Sequence, residues 1–179
     1  MDLSAVVLPD RFPISTFLDD VVAAEDAGVR TVWTYDHLTW PLLADGPWFG
    51  AVPLLAAAAV RTERVRLGTL VATPNFRHPA PFATELVTLD QLAGGRLEVG
   101  VGAGTEGPDA RVLGDEPLSR AQRTERFAEW LSMLDRLLRE PVAKNGASKE
   151  TIPSDPPMEA TGLTGPASDV RACAKRPSP

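Results

Sequence analysis

Apolar residues along the first 141 positions alternate between short continuous runs and stripes spaced by three and four residues. Short runs rich in β-branched and aromatic residues favour strands, and stripes at that spacing favour amphipathic helices. The pattern predicts, in chain order, strand 3–9, helix 15–28, strand 31–37, helix 53–62, strand 65–73, helix 81–95, strand 96–102 and helix 119–141.

This alternation of strands and helices predicts a parallel α/β fold. Parallel neighbours need a long connection between them, and that connection is usually a helix. An open doubly wound sheet and an eight-stranded βα barrel both fit the order of elements. A complete barrel typically has about 250 residues, so four βα units would form half of one.

Local sequence signals accompany the predicted helix ends. Thr16 and Asp19 fit a capping box at the start of the first helix. Gly28 fits the position just after that helix, where φ is often positive. Pro53 suits the first turn of the second helix.

The composition changes after Pro141. Residues 142–179 contain six prolines and few large aliphatic side chains, and no helical or strand periodicity continues there. Such a segment cannot bury enough apolar area to offset the entropy lost on ordering it. We therefore expect one domain over residues 1–141 and a disordered tail over residues 142–179.

Charge and composition argue against several classes of protein. The net charge of −6 disfavours a nucleic-acid partner or an anionic membrane surface, because like charges repel. The longest purely apolar run, residues 53–60, is far shorter than the roughly 20 residues that a membrane-spanning helix needs. The single cysteine, Cys173, excludes an internal disulfide, and the chain start lacks the pattern of a secretory signal. We expect a soluble, cytoplasmic protein.

A glycine-rich segment follows the fourth predicted strand. Gly102, Gly104 and Gly107 match the G-x-G-x-x-G spacing of dinucleotide-binding loops. That motif requires a helix at its third glycine and an acidic residue after the next strand, whereas a polar loop follows Gly107 here. The sequence favours a crowded strand end, where glycines allow backbone or ligand to approach closely. A nucleotide-binding α/β module stays as an alternative.

Polar side chains occupy the ends of the second and third predicted strands. Asp36 and His37 end the second strand, and Thr73, Asn75 and Arg77 follow the third. A histidine beside an acid can act as a general acid or base near neutral pH. The alternatives are a histidine that only bonds the loop backbone and an arginine in a surface salt bridge. No zinc-protease, CxxC, P-loop or nucleophile-elbow motif occurs, so no metal site is expected.

Three segments together resemble the N-terminal half of the bacterial luciferase-like superfamily, over residues 1 to about 140. They are TVWTYDHLTW, VRLGTLVATPNFRHPAPFATELVTLDQLAGGRLEVGVGAGT and RTERFAEWLSMLDRLL. Members are flavin-dependent monooxygenases and deazaflavin (coenzyme F420)-dependent oxidoreductases built on a TIM barrel. The resemblance implies a partial TIM barrel of about four βα units, with FMN or F420 as the cofactor and a small molecule as the substrate. Between the two cofactors, the Asp-His pair and the Arg-His-Pro turn favour the deazaflavin branch.

The resemblance also implies roles for individual residues. His37 is the candidate acid or base, beside Asp36 and Trp40, and a non-prolyl cis peptide bond is expected between Leu70 and Val71. Thr105 stands where one branch of the family carries a proton-donating glutamate. The candidate catalytic residues are His37, Asp36 and Trp40, and the candidate cofactor-binding residues are Asp36, Leu70, Val71, Thr73, Asn75, Gly102, Gly104 and Thr105.

The chain departs from the family pattern after about residue 140. Relatives continue toward a fifth strand and use later residues to hold the cofactor tail. We therefore expect a truncated or frame-shifted member, whose open sheet edges could support homo-oligomers. The alternative function is a catalytically inert half-barrel fragment that binds no cofactor.

Overall fold

The computed structural model describes residues 2–40, 46–114 and 116–139, and within these ranges it confirms the predicted alternation. The elements are β1 (Ser4–Val6), α1 (Ser15–Asp26), β2 (Thr31–Thr34), α2 (Ala51–Ala59), β3 (Arg66–Ala72), α3 (Pro79–Leu92), β4 (Leu97–Val101), a short 3₁₀ helix (Pro108–Ala110) and α4 (Arg120–Arg139). The predicted tail, residues 142–179, lies outside the described residues, so its disorder and the domain boundary stay predictions.

The four strands form one parallel sheet in the order β1-β2-β3-β4. Val32 of β2 pairs with Ala5 of β1 and with Leu67 of β3, and Leu67 pairs with Leu97 of β4. A helix joins each strand to the next, as a parallel connection requires. The predicted α/β fold of four βα units is therefore confirmed, and the carboxyl ends of the strands meet at one edge of the sheet.

One face of the sheet packs against the helices. Val32 and Leu67 are fully buried there, in contact with a cluster that includes Phe17 and Val21 of α1 and Leu55 of α2. Burying a side chain of this size contributes about 1.5–3 kcal/mol. A second cluster brings α3 and α4 together at the end of β3; its buried members are Ala72, Phe82, Ala83, Leu86, Trp130 and Leu134.

The predicted helix-end signals have mixed outcomes. Gly28 has a φ of +79° just after α1, as expected, and Pro53 lies in the first turn of α2. The capping box is wrong, because α1 begins after Ile14 and no side chain caps its first turn. The Asp19 carboxylate instead accepts a hydrogen bond from Arg61 at 3.3 Å.

None of the helices in the described ranges combines the length and the apolar character needed to cross a bilayer.

A buried carboxylate connects α1 to the turn that precedes β3. Oε2 of Glu25 accepts hydrogen bonds from the backbone N–H groups of Glu63, Arg64 and Val65, at 3.1, 2.7 and 2.8 Å. Burial by itself would raise the pKa of Glu25, but these three N–H groups and the Arg64 guanidinium together lower it below the ordinary glutamate value. The ionised carboxylate therefore stabilises the folded chain.

We expect Glu25→Gln to lower the free energy of unfolding at neutral pH by about 1–3 kcal/mol, because a charged acceptor of three N–H groups is lost. Since the pKa of Glu25 is lower in the folded chain, its stabilisation is complete above the ordinary glutamate pKa. That stabilisation is lost as the pH falls through the folded-state pKa. The difference between wild type and variant should therefore shrink in acid, as measured by urea denaturation across pH.

Glu63→Gln is the matched control, because the Glu63 side chain is exposed at the same turn. It should leave the free energy of unfolding nearly unchanged. Equal losses in the two variants, or a Glu25→Gln deficit that persists at low pH, would contradict this role of the buried carboxylate.

Candidate functional site

The ends of β2 and β3 and the loop after β4 border one open cavity of about 450 Å³. Apolar and aromatic side chains make up most of its wall, with a few polar groups among them. The lining residues are Tyr35, His37, Trp40, Leu70, Val71, Thr73, Asn75, Gly104, Thr105 and Asp109.

Eight of the ten residues predicted for the site line this cavity, and two do not. Gly102 lies behind Val71, since a Cβ on Gly102 would stand 2.8 Å from Val71 Cγ2. The Asp36 side chain is buried away from the cavity wall. The roles of all ten residues stay predictions, but the structure brings most of them to one place.

The end of β3 is irregular where it borders the cavity. The pairing between β3 and β4 shifts register between Thr69 and Ala72, as at a β-bulge. The Leu70–Val71 peptide bond is cis, which confirms the sequence-based expectation. Neighbouring residues of a regular strand point to opposite faces, whereas at this bulge Leu70 and Val71 both line the cavity.

The glycine loop after β4 closes directly onto the end of β3. Gly104 has a φ of +76°, and a Cβ there would stand 2.5 Å from Thr73 Oγ1 and 2.6 Å from Asn75 Nδ2. Asn75 Nδ2 donates to the Thr105 carbonyl at 3.2 Å, and Asn75 Oδ1 accepts from Arg126 of α4. Only a residue without a side chain fits this contact, so position 104 requires glycine for packing.

The segment that follows Gly107 does not form a dinucleotide-binding loop. The 3₁₀ helix begins at Pro108, and the next α-helix, α4, begins only at Arg120. The α-helix that the motif needs at its third glycine to hold a pyrophosphate is therefore replaced here by a single 3₁₀ turn. The crowded strand end is the interpretation that agrees with the structure.

Asp36 forms a buried ion pair with Arg77. Arg77 donates from Nε and Nη2 to the two carboxylate oxygens of Asp36, at 3.0 and 2.7 Å, in the bidentate geometry that arginine favours. Burial alone would lower the pKa of Arg77, but Asp36 and Glu85 raise it above its ordinary value, so Arg77 is charged. The Arg77 carbonyl accepts from Trp130 Nε1 at 2.6 Å. This pair joins the end of β2 to the β3–α3 loop and to α4.

His37 makes a hydrogen bond that sequence analysis did not anticipate. Its Nδ1 contacts Oδ2 of Asp109, whose other oxygen accepts from the backbone N–H groups of Leu38 and Thr39 at 3.0 and 3.1 Å. Asp109 is buried and lies 72 residues further along the chain. The sequence carries little indication of this contact, because an acid in a Pro-Asp turn is usually a local turn residue.

Aromatic rings surround His37. Trp40 lies 4.6 Å from the imidazole, and Trp48 stacks against Trp40 at 6.0 Å between ring centroids and 16° between ring planes. Trp48 Nε1 also donates to the His37 carbonyl at 2.8 Å. Trp48 was not among the predicted site residues, because only its position in the folded loop brings it to this site. Together these rings make a flat, apolar wall beside a polar imidazole.

Among the described residues, no group of histidine, cysteine and carboxylate side chains is arranged to hold a metal ion.

Comparison with known proteins places the chain in a family of oxidoreductases. An F420-dependent glucose-6-phosphate dehydrogenase from Microbacterium testaceum (strain StLB037) is 38% identical over 130 residues, covering 72% of this chain and 38% of that protein. A 4-hydroxyprotoasukamycin monooxygenase from Streptomyces nodosus subsp. asukaensis is 38% identical over 121 residues, covering 65% of this chain and 30% of that protein.

A solved structure supports the same placement. An F420-dependent secondary alcohol dehydrogenase, in complex with an F420-acetone adduct, is similar with a TM-score of 0.71 and 26% identity. The similarity covers 78% of this chain and 42% of that one. The chain thus spans less than half the length of each of these three proteins, and its four βα units are part of a TIM-type barrel.

The family model for luciferase-like monooxygenases matches residues 2–166, which include part of the predicted tail. This match covers most of the chain, and the chain belongs to the luciferase-like monooxygenase family.

Proposed function

We propose that the cavity binds the flat ring of a flavin-type cofactor, FMN or F420, and that the chain forms part of an oxidoreductase acting on a small-molecule substrate. The observation that carries this proposal is the convergence of three strand ends on one cavity with apolar and aromatic walls. In parallel α/β folds, ligands bind at the carboxyl ends of the strands. The names of the relatives, which include F420-dependent dehydrogenases and a monooxygenase, support the same assignment.

The size and chemistry of the cavity fit a flat heterocycle. Ligand pockets commonly have volumes of about 300–1,000 Å³, with mostly apolar walls and a few placed polar groups, and this cavity is about 450 Å³. Leu70 and Val71 offer an apolar support for one face of a ring. Thr73, Asn75 and Thr105 place polar groups beside that support. These five residues are the proposed ring-binding set.

The protein residues have a limited chemical task in this proposal. A bound flavin or deazaflavin supplies hydride or oxygen chemistry. His37 handles a proton at the cavity wall, since imidazole is suited to proton transfer near neutral pH. Trp40 and Trp48 place apolar rings against the imidazole, 4.6 and 6.3 Å from it between ring centroids.

F420-dependent hydride transfer is the favoured branch of this proposal. Its supports are the histidine at the cavity wall and the similarity to F420-dependent dehydrogenases. An FMN-dependent monooxygenase is the second candidate, supported by the equal identity to 4-hydroxyprotoasukamycin monooxygenase. A cytoplasmic location and the lack of a nucleic-acid partner stay predictions from composition and charge.

Titration of the purified chain with F420, FMN and NADH, followed by fluorescence and absorbance, tests the proposal. We expect saturable binding of F420 or FMN, because the ring rather than a nucleotide tail fits the cavity. Saturation by NADH alone would support a nucleotide-binding module instead. A lack of binding by all three would support an inert half-barrel.

Gly104→Ala should abolish or strongly weaken ring binding. The new Cβ would collide with Thr73 Oγ1 and Asn75 Nδ2, both on residues that line the cavity. Gly95→Ala is the matched control, because Gly95 has a similar φ of +80° but nothing within 4 Å of an added Cβ. An alanine is strained by the positive φ at either position, so the two variants differ only in the collision at position 104. Equal ring affinities in the two variants would contradict the proposed binding set.

Self-association is a further part of this proposal. In the described sheet, β1 and β4 are the outer strands, and outer strands present backbone groups that pair readily with another chain. Light scattering on size-exclusion fractions should give a mass that is a multiple of 19.2 kDa. A mass of one chain at every concentration tested would exclude it.

A further inference from the structure

We propose that Asp109 is a positioning residue that holds His37 in the tautomer with the proton on Nδ1, so that Nε2 is a proton acceptor in the cavity. Its consequence for catalysis rests on the proposed function. The tautomer itself is independent of the proposed function, because it follows from hydrogen bonds that are present without any ligand.

The orientation of the Asp109 carboxylate is fixed by the backbone of the loop that follows His37. Oδ1 accepts from the N–H groups of Leu38 and Thr39, at 3.0 and 3.1 Å. Oδ2 is thereby directed to Nδ1 of His37. A carboxylate only accepts hydrogen bonds, so Nδ1 has to be the donor.

Both partners are held in place from outside the pair. Asp109 lies in the 3₁₀ helix, where Ala110 N–H donates to the Gly107 carbonyl at 3.0 Å and Arg111 N–H donates to the Pro108 carbonyl at 2.9 Å. On the other side, Trp48 Nε1 donates to the His37 carbonyl. The carboxylate and the imidazole therefore meet between two anchored segments, as required of a residue that orients another.

The second ring nitrogen is the one available for chemistry. In the part of the chain that the structure describes, Nε2 of His37 has no hydrogen-bond partner, and the His37 side chain lines the cavity. In a neutral imidazole with the proton on Nδ1, Nε2 carries a lone pair. Nε2 can therefore accept a proton from a hydroxyl group of a ligand in the cavity, and the acid partner keeps it in that state.

The chain contains a natural reference for this tautomer. Of the two histidines in the sequence, His78 caps the start of α3, and its Nδ1 accepts from the Ala80 N–H at 3.3 Å. An accepting Nδ1 carries no proton, so neutral His78 has its proton on Nε2. The two histidines should therefore be in opposite tautomers.

Nitrogen-15 NMR of the two imidazole rings, at a pH at which both are neutral, tests the proposal in the full chain. We expect a protonated Nδ1 in His37 and a protonated Nε2 in His78, with His78→Gln used for assignment. The opposite result for wild-type His37 would overturn the proposal without any variant of Asp109.

Asp109→Asn provides the second measurement. The carbonyl oxygen of the introduced amide should stay with the N–H groups of Leu38 and Thr39, which leaves its NH₂ facing Nδ1 of His37. Nδ1 then has to accept, so the proton should move to Nε2 in His37 while His78 keeps its own tautomer. A His37 spectrum that is the same in wild type and variant would contradict the positioning role.

The ring titration separates this inference from the proposed function. Failure of the chain to bind F420 or FMN would remove the proposed function and leave the NMR result standing. Binding of the ring together with an unprotonated Nδ1 in wild-type His37 would remove only the role of Asp109.

Discussion

Parallel pairing of β2, β3 and β4 is the constraint on which the rest of the site depends. Because these strands run in one direction, their carboxyl ends lie at the same edge, although the segments that follow them are about 30 to 70 residues apart in the chain. Backbone hydrogen bonds of the sheet thus account for the proximity of His37, Val71 and Gly104 without any side-chain contact. The helices bury one face of the sheet and hold this arrangement in place.

Polar contacts then fix the loops at that edge. The Asp36–Arg77 ion pair joins the ends of two strands, and the Arg77 carbonyl takes a hydrogen bond from Trp130. Removing one partner of such a buried pair typically costs about 3–5 kcal/mol, because the other charge is left without compensation. The position of α4 is thereby coupled to the position of the β2–α2 loop that carries His37.

Regular periodicity explains what the sequence could predict. The strands, the helices and the cluster of strand ends follow from apolar spacing, and the family resemblance supplied the cis peptide bond at Leu70–Val71. Asp109 and Trp48 escaped prediction because each acts across an irregular loop, where no repeat relates sequence position to place in the fold. The capping box failed because α1 already begins at Ser15, which places Thr16 inside the helix rather than at its cap.

The adjacent residues Asp36 and His37 show how a short motif can mislead. In the sequence they look like one acid–imidazole pair. Consecutive side chains near a strand end point to opposite sides, and here Asp36 is buried against Arg77 while His37 lines the cavity. The acid that contacts the imidazole is Asp109, from the loop after β4. One residue of the motif therefore fixes the loop and the other is left for chemistry, and a distant carboxylate supplies the partner that the adjacent one cannot reach.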